Sequence, residues 1–274
     1  MPGPSLTHSQ KIQRLLYTGC LLLVVLLCLI AFVWWSDQHS SRQTQAIAYS
    51  GQSLRIERPG FATIALTRQE DEQWRIVEPC PLPVNDQRLQ PLLDALAPAA
   101  HGYASSEVDL DAAGLLDPAA VVYLDEQRLV LGGTDLSGER RYLQRGERVE
   151  FVPEWLLSML NGGLSALAVL EVFPTGLDAL SALSSPTDDM TLPALNLTAD
   201  SLEQWRTLSA QQIVSWPLAD SETAIAARHL EADIAGQRTP LTLHDFQHFL
   251  ALRFENAACA YIMPRTSLPD SVFP

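Results

Sequence analysis

The stretch Trp74-Arg75-Ile76-Val77-Glu78-Pro79-Cys80-Pro81-Leu82-Pro83-Val84-Asn85-Asp86-Gln87-Arg88-Leu89-Gln90-Pro91-Leu92-Leu93-Asp94-Ala95-Leu96 reads as a strand, a break and a helix in succession. Trp74 and Ile76 alternate with polar neighbours, the period of a half-buried strand. The prolines of residues 79–83 break that pattern. Asn85 or Asp86 can cap a helix whose apolar positions are Leu89, Leu92, Leu93 and Leu96, spaced i, i+3, i+4, i+7. Pro91 conflicts with an interior helical position, so this helix is expected to start late or to kink. Pro98 helps to end it.

Upstream, Leu54 and Ile56 alternate, Pro59-Gly60 turns the chain, and Ala62, Ile64 and Leu66 alternate again. A charged turn at residues 69–73 leads into Trp74. The sum is a three-stranded meander. Downstream, Gly114-Leu115-Leu116-Asp117-Pro118 is a turn. Strands are expected at 121–124, 128–131, around Tyr142-Leu143, and at 149–152, with a short helix over 154–160 that Asn161-Gly162-Gly163 stops. In the second half, residues 174–200 read as a connector, 200–211 and 220–234 as helices, the latter ending near Gly236. Thr242 with Asp245 resembles a capping box before an apolar run. The alternation of Leu250, Leu252 and Phe254 makes a strand the competing reading there. Residues 258–263 read as a last strand. The fold class is therefore α+β: small antiparallel sheets with packed helices, in lobes 49–165 and 166–274.

A different pattern precedes these lobes. Between Arg14 and Asp37 lie 22 residues without charge. About 20 apolar residues at 1.5 Å rise cross a hydrocarbon core of roughly 30 Å. Trp34 and Trp35 close the run, where indole rings favour the interface. Residues 1–14 are thus a cytoplasmic N-terminus, 15–36 a transmembrane anchor and 37–48 a polar tether. Lys11 and Arg14 place the N-terminus inside and the rest outside. The apolar run is longer than a signal-peptide core, and the nearest small-residue site, Ala46-Ile47-Ala48, lies well past its end.

Charge narrows the partners. Lys11 is the only lysine, and beyond the anchor 16 arginines face 32 acidic residues. A field this negative repels phosphate backbones, so nucleic acid is not an expected partner. Of four cysteines, Cys20 and Cys28 lie in the anchor. Cys80 and Cys259 lie in the exported part, each beside an expected strand, where an oxidising compartment permits a disulfide. The alternative is two buried free thiols.

The order of several segments carries a resemblance. These are Trp74-Arg75-Ile76-Val77-Glu78-Pro79; Asn85-Asp86 before the leucine helix; Ala113-Gly114-Leu115-Leu116-Asp117-Pro118; Leu131-Gly132-Gly133; Tyr142-Leu143; and Phe151-Val152 before Trp155. Over residues 50–165 the chain resembles the domain of unknown function numbered 4340. The resemblance implies a membrane-anchored extracytoplasmic protein, in some members associated with ABC-type transporters of the gliding-motility kind. It carries no catalytic residues. Trp216-Pro217-Leu218-Ala219-Asp220 faintly echoes the segment from Trp74 to Asp86, as a decayed repeat would.

The sharpest chemical candidate is His244-Asp245-Phe246-Gln247-His248. On a helix the two histidines share a face, as in H-E-x-x-H zinc sites. Aspartate replaces the glutamate base, and no third ligand sits within reach of one metal, so two exposed histidines beside a core stripe are expected. Trp74, Trp155, Trp205 and Trp216 could stack on sugars but are expected mainly in the core. Asn196-Leu197-Thr198 is a glycosylation sequon. No catalytic signature, cofactor motif or metal site is expected. The chain reads as a single-pass subunit of a bacterial inner membrane, bound to lipid through residues 15–36. Its C-terminal domain is periplasmic and meets a protein partner in the envelope. The alternative is a binding module for a periplasmic glycan or peptide.

Overall fold

The chain divides into two compact units, Met1–Ala48 and Tyr49–Pro274. A computed structural model describes residues 51–173, 180–185, 199–218, 223–268 and 272, all in the second unit. The expected anchor at 15–36 and the Asn196 sequon lie outside the described residues. Among those described, no helix is long and apolar enough to cross a membrane.

The elements in chain order are β1 (Ser53–Glu57), β2 (Ile64–Arg68), β3 (Trp74–Glu78), β4 (Leu82–Pro83), α1 (Asp86–Ala95), β5 (Tyr103–Ala104), β6 (Ala120–Leu124), β7 (Gln127–Thr134), β8 (Arg140–Arg145) and β9 (Arg148–Pro153). Then come α2 (Trp155–Asn161), α3 (Leu164–Leu167), β10 (Leu180–Ser184), α4 (Ala199–Arg206), β11 (Gln212–Ser215), β12 (Ala226–Ile234), β13 (Gln237–Phe246), β14 (Phe249–Phe254) and β15 (Cys259–Pro264). They build two antiparallel sheets. One has nine strands in the order β4-β3-β2-β1-β6-β7-β8-β9-β5, the other six in the order β10-β12-β13-β14-β15-β11. The unit is mostly β with a few short helices, richer in sheet than the sequence reading.

The first sheet follows the alternation that the sequence shows. Leu54 faces Leu66 and Leu124 across its two neighbours, and Ile56 faces Ile64 and Val122. All six side chains are buried, each worth roughly 1.5–3 kcal/mol in removed apolar surface. The leucine helix forms over Asp86–Ala95 with Asn85 as its N-cap residue, and it runs through Pro91. Pro91 and Gln87 are both exposed, so the carbonyl that proline leaves without a donor faces water.

The second half departs from expectation at two places. Residues 226–234 are strand β12 rather than the end of a helix. Their burial alternates, with Arg228, Leu230 and Ala232 inward. Alanine, glutamate and arginine favour helix in isolation, but pairing with β10 and β13 on both sides overrides that weak preference. Ala235 and Gly236, with φ of 53° and 76°, form a two-residue hairpin turn in place of the expected helix stop. Residues 242–254 are likewise no helix. They form the β13–β14 hairpin, with Leu241 and Leu243 on β13 and Leu250 and Leu252 on β14 buried together. The helix expected over 200–211 is shorter and ends at Arg206, while the connector 174–200 contains strand β10.

Residues 167–172 sew the two sheets together. On one side Asn85 N–H donates to the Leu167 carbonyl (2.8 Å) and Val169 N–H to the Pro83 carbonyl (3.0 Å). On the other, Ala210 N–H donates to Leu170 (2.8 Å) and Val172 N–H to Leu208 (3.0 Å). This strap covers the outer edge of β4 and delivers the chain towards β11. The largest hydrophobic cluster among the described residues draws on the inner faces of both sheets and on α1 to α4, with Trp205 and Phe173 fully buried in it.

Candidate functional site

The seam between the sheets is where the molecule concentrates its unusual features. Cys80, between β3 and β4, and Cys259, the first residue of β15, are joined in a disulfide with Cα atoms 6.0 Å apart. Both cysteines are almost wholly buried. The bridge thus clamps the β4 side of the nine-stranded sheet to β15, one strand in from the β11 edge of the six-stranded one.

Beside the disulfide lies a cavity of about 500 Å³, lined by Pro81, Pro83, Phe254, Asn256, Tyr261 and the two half-cystines among others. Its size is in the range of small-molecule sites. The Phe254 ring meets Tyr261 edge-on at 6.2 Å and Phe173 at 6.1 Å, so the aromatic wall is fixed from behind. Burial pushes the Tyr261 hydroxyl above its ordinary pKa. Asn256, at φ 60°, turns the β14–β15 connection at the cavity mouth.

A second concavity, about 220 Å³, lies at the other margin of the seam. It is bounded by the turn after β1, the α2–α3 junction and edge strand β11. Arg58 forms its polar wall. Nη1 donates to the Leu160 carbonyl at 2.8 Å and to the Asn161 carbonyl at 3.3 Å in the last turn of α2, where Leu160 also accepts from Gly163 N–H (3.1 Å). The Phe61 ring lies 4.7 Å from the guanidinium carbon. Burial lowers the pKa of Arg58. On the opposite wall, Ile213 N–H donates to Ser165 Oγ (2.9 Å), which occupies the middle of the β11 edge.

Other buried charges serve the backbone. Arg141 donates through Nε and Nη2 to both Glu154 oxygens (3.1 and 2.6 Å), through Nη2 to Thr134 Oγ1 (3.0 Å), and through Nη1 to the Gly132 carbonyl. It secures the irregular end of β7, where the register with β8 shifts between Leu131 and Thr134. The hydrogen bond from Arg141 is the main reason that Glu154 ionises below the ordinary carboxylate range. Arg145 reaches the Leu96 carbonyl (2.6 Å) and pairs with the buried Glu150 (3.5 Å), tying the end of α1 to β8 and β9.

The two histidines of the zinc-like motif are not on a helix and do not converge. His244 sits in β13 opposite Ala251, and His248 lies exposed in the turn after it. Asp245 points to the other sheet face, is buried and accepts from Arg265 Nη2 at 2.7 Å. Among the described residues, no group of three or more His, Cys, Asp or Glu side chains could hold a metal ion. The tryptophans divide: Trp205 and Trp74 are buried, Trp216 is half-buried against His244, and Trp155 is 45% exposed.

Sequence reasoning singled out Cys80 and Cys259 and missed Arg58. The Arg58-Pro59-Gly60 turn and the Asn161-Gly162-Gly163 helix stop were both legible. Their meeting, 102 residues apart in the chain, was not. Compared with known proteins, the chain matches no family model and no curated protein.

Proposed function

We propose that this chain is a membrane-anchored interaction subunit of a bacterial envelope complex, accessory to an ABC-type transporter. Residues 15–36 hold it in the inner membrane, and the domain that follows is periplasmic. The observation that carries this reading is the Cys80–Cys259 disulfide between the two sheets. Such bridges persist in oxidising compartments and are rare in the cytosol, so the bond is consistent with an extracytoplasmic domain. The buried Arg141, Arg145 and Glu150 brace strands and helix ends, as in a rigid scaffold. The resemblance of residues 50–165 to the domain of unknown function numbered 4340 supports the same reading, and the excess of acidic residues argues against nucleic acid.

Two measurements test it. A reporter fused after Pro274 should be active only outside the cytoplasm. Mild-detergent purification of the full chain at native expression should bring down a transporter membrane subunit in fixed ratio. Cytoplasmic reporter activity, or recovery of the chain alone, would count against it.

A second reading, a binding module for a periplasmic peptide or glycan, draws support from the cavity beside the disulfide with its Phe254 and Tyr261 wall. It expects a ligand to protect Tyr261 from chemical modification.

A further inference from the structure

The groove of about 220 Å³ beside Arg58 has a composition unlike the rest of the molecule. The chain carries 32 acidic residues, yet among the described residues none lines this groove, and Arg58 is the only charged side chain there. That arginine is 9% exposed. Its hydrogen bonds to Leu160 and Asn161 use Nη1 alone. Nε is buried and has no hydrogen-bond partner. Nε and Nη2 together form the side of the guanidinium fork that matches the two oxygens of a carboxylate. A buried donor without an acceptor is costly, and a carboxylate drawn in beside Nη2 would relieve that cost.

Nη2 makes no hydrogen bond among the described residues and is not among the buried atoms, so it is the nitrogen that opens on the groove, with Nε behind it. Gly163 holds φ +63°, and a Cβ there would lie 3.6 Å from Nη2 and 3.8 Å from Nη1, so its absence leaves the Nη end of the guanidinium uncovered. Phe61, stacked on the guanidinium, is 62% exposed and stands as an apolar rim. Ile64, Pro79 and Val214 extend the apolar lining. Ser215 adds a polar edge. Ile213 turns its N–H outward to Ser165, so antiparallel alternation turns the Ser215 N–H and carbonyl to the same open side.

We propose that this groove binds a carboxylate carried on a small apolar body, with Arg58 gripping the carboxylate and Phe61 covering the body. The carboxylate belongs either to a free acid of amino-acid size or to the last residue of a peptide.

The test uses the full chain in detergent micelles, with arginine labelled by nitrogen-15. Three probes are titrated: N-acetylphenylalanine, N-acetyl-alanyl-phenylalanine, and the C-terminal amide of the latter. Heat of binding is read together with the Arg58 Nε–H resonance, identified by its loss in Arg58→Lys. The acids should bind at least about tenfold more tightly than the amide and shift that resonance. Comparable binding of the two acids assigns the site to a free acid; dipeptide binding tighter by about tenfold assigns it to a peptide terminus. Phe61→Ala, at an exposed position, should weaken acid binding several-fold with little change in thermal midpoint. It keeps the test decisive if Arg58→Lys fails to fold. Equal binding of acid and amide, an unmoved Nε–H resonance, or no binding by any probe at about 10 mM would overturn the proposal.

Discussion

The imidazole of His244 lies against the indole of Trp216, ring centroids 4.7 Å apart and planes inclined by 32°. Burial, then the nearby positive charge of Arg253, then His229, hold the His244 pKa below its ordinary value. Facing it are His229 and Thr242 on the neighbouring and same strands, and Arg253, which also reaches over the Trp216 ring. The unfolded chain therefore takes up this proton at higher pH than the folded one. The contribution to stability is fully present above about pH 6.5 and is lost as pH falls through the lower folded value. Urea midpoints measured from about pH 7.5 to about pH 5 should decline in the parent and less steeply in His244→Gln. Identical slopes would show that another group governs this range.

The disulfide should matter more than any single core contact. Cys80 and Cys259 are 179 residues apart in sequence. Closing so long a loop in the unfolded chain gives roughly 5 kcal/mol in the entropy model, an upper figure. Cys80→Ala with Cys259→Ala should lower the denaturation midpoint, and a thiol reductant should do the same to the parent alone. Non-reducing digestion should yield the two cysteines in one linked peptide pair. Finding both as alkylated free thiols would end this expectation.

Glu154 supplies an acid-side dependence of its own. Its pKa is lowered chiefly by Arg141, so the stabilisation is present above the ordinary glutamate value, about 4.3, and is lost as pH falls below it. Glu154 is one-third exposed, so solvent screening reduces the size of the effect. Arg141→Met should flatten this acid limb. It should also destabilise at neutral pH by about 1–3 kcal/mol, because the Gly132 carbonyl loses its buried donor. An unchanged acid limb in Arg141→Met would refute the pairing as its cause.

Adjacent glycines in β7 should behave differently. A Cβ on Gly132 would collide with the Ala113 carbonyl oxygen, whereas one on Gly133 would meet that same atom at 3.4 Å, close to ordinary contact. Gly132→Ala is expected to cost about 1–3 kcal/mol, the range of an overpacked core. Gly133→Ala should cost much less. Equal thermal midpoints for the two variants would contradict this account.

Much of the first lobe was readable because β1, β2, β3 and β6 alternate cleanly and end at turns with their own chemistry. Leu54, Ile56, Ile64 and Leu66 are consecutive inward positions of β1 and β2, and Pro59-Gly60 marks the turn between them. The second lobe hid its strands behind helix-forming residues. In β12, Glu231, Ala232 and Arg228 favour helix locally, and partners distant in the chain decide otherwise. The hairpin of β13 and β14 turns at Gln247-His248, which carries no glycine, asparagine or proline to announce it. The Arg58 groove was illegible for another reason. Its walls come from residues 58–64, 161–165 and 212–215 with Pro79, and no local pattern encodes their meeting.

The short strands that close the nine-stranded sheet have a consequence for self-association. β4 and β5 are two residues long each, and the strap at 167–172 already occupies the hydrogen-bonding groups beside β4. A copy of the chain arriving at either border finds little backbone to template on. The four-residue border at β11 is interrupted by the Ser165 hydroxyl. At high local density, neighbouring copies would find little to pair with strand by strand at these three borders.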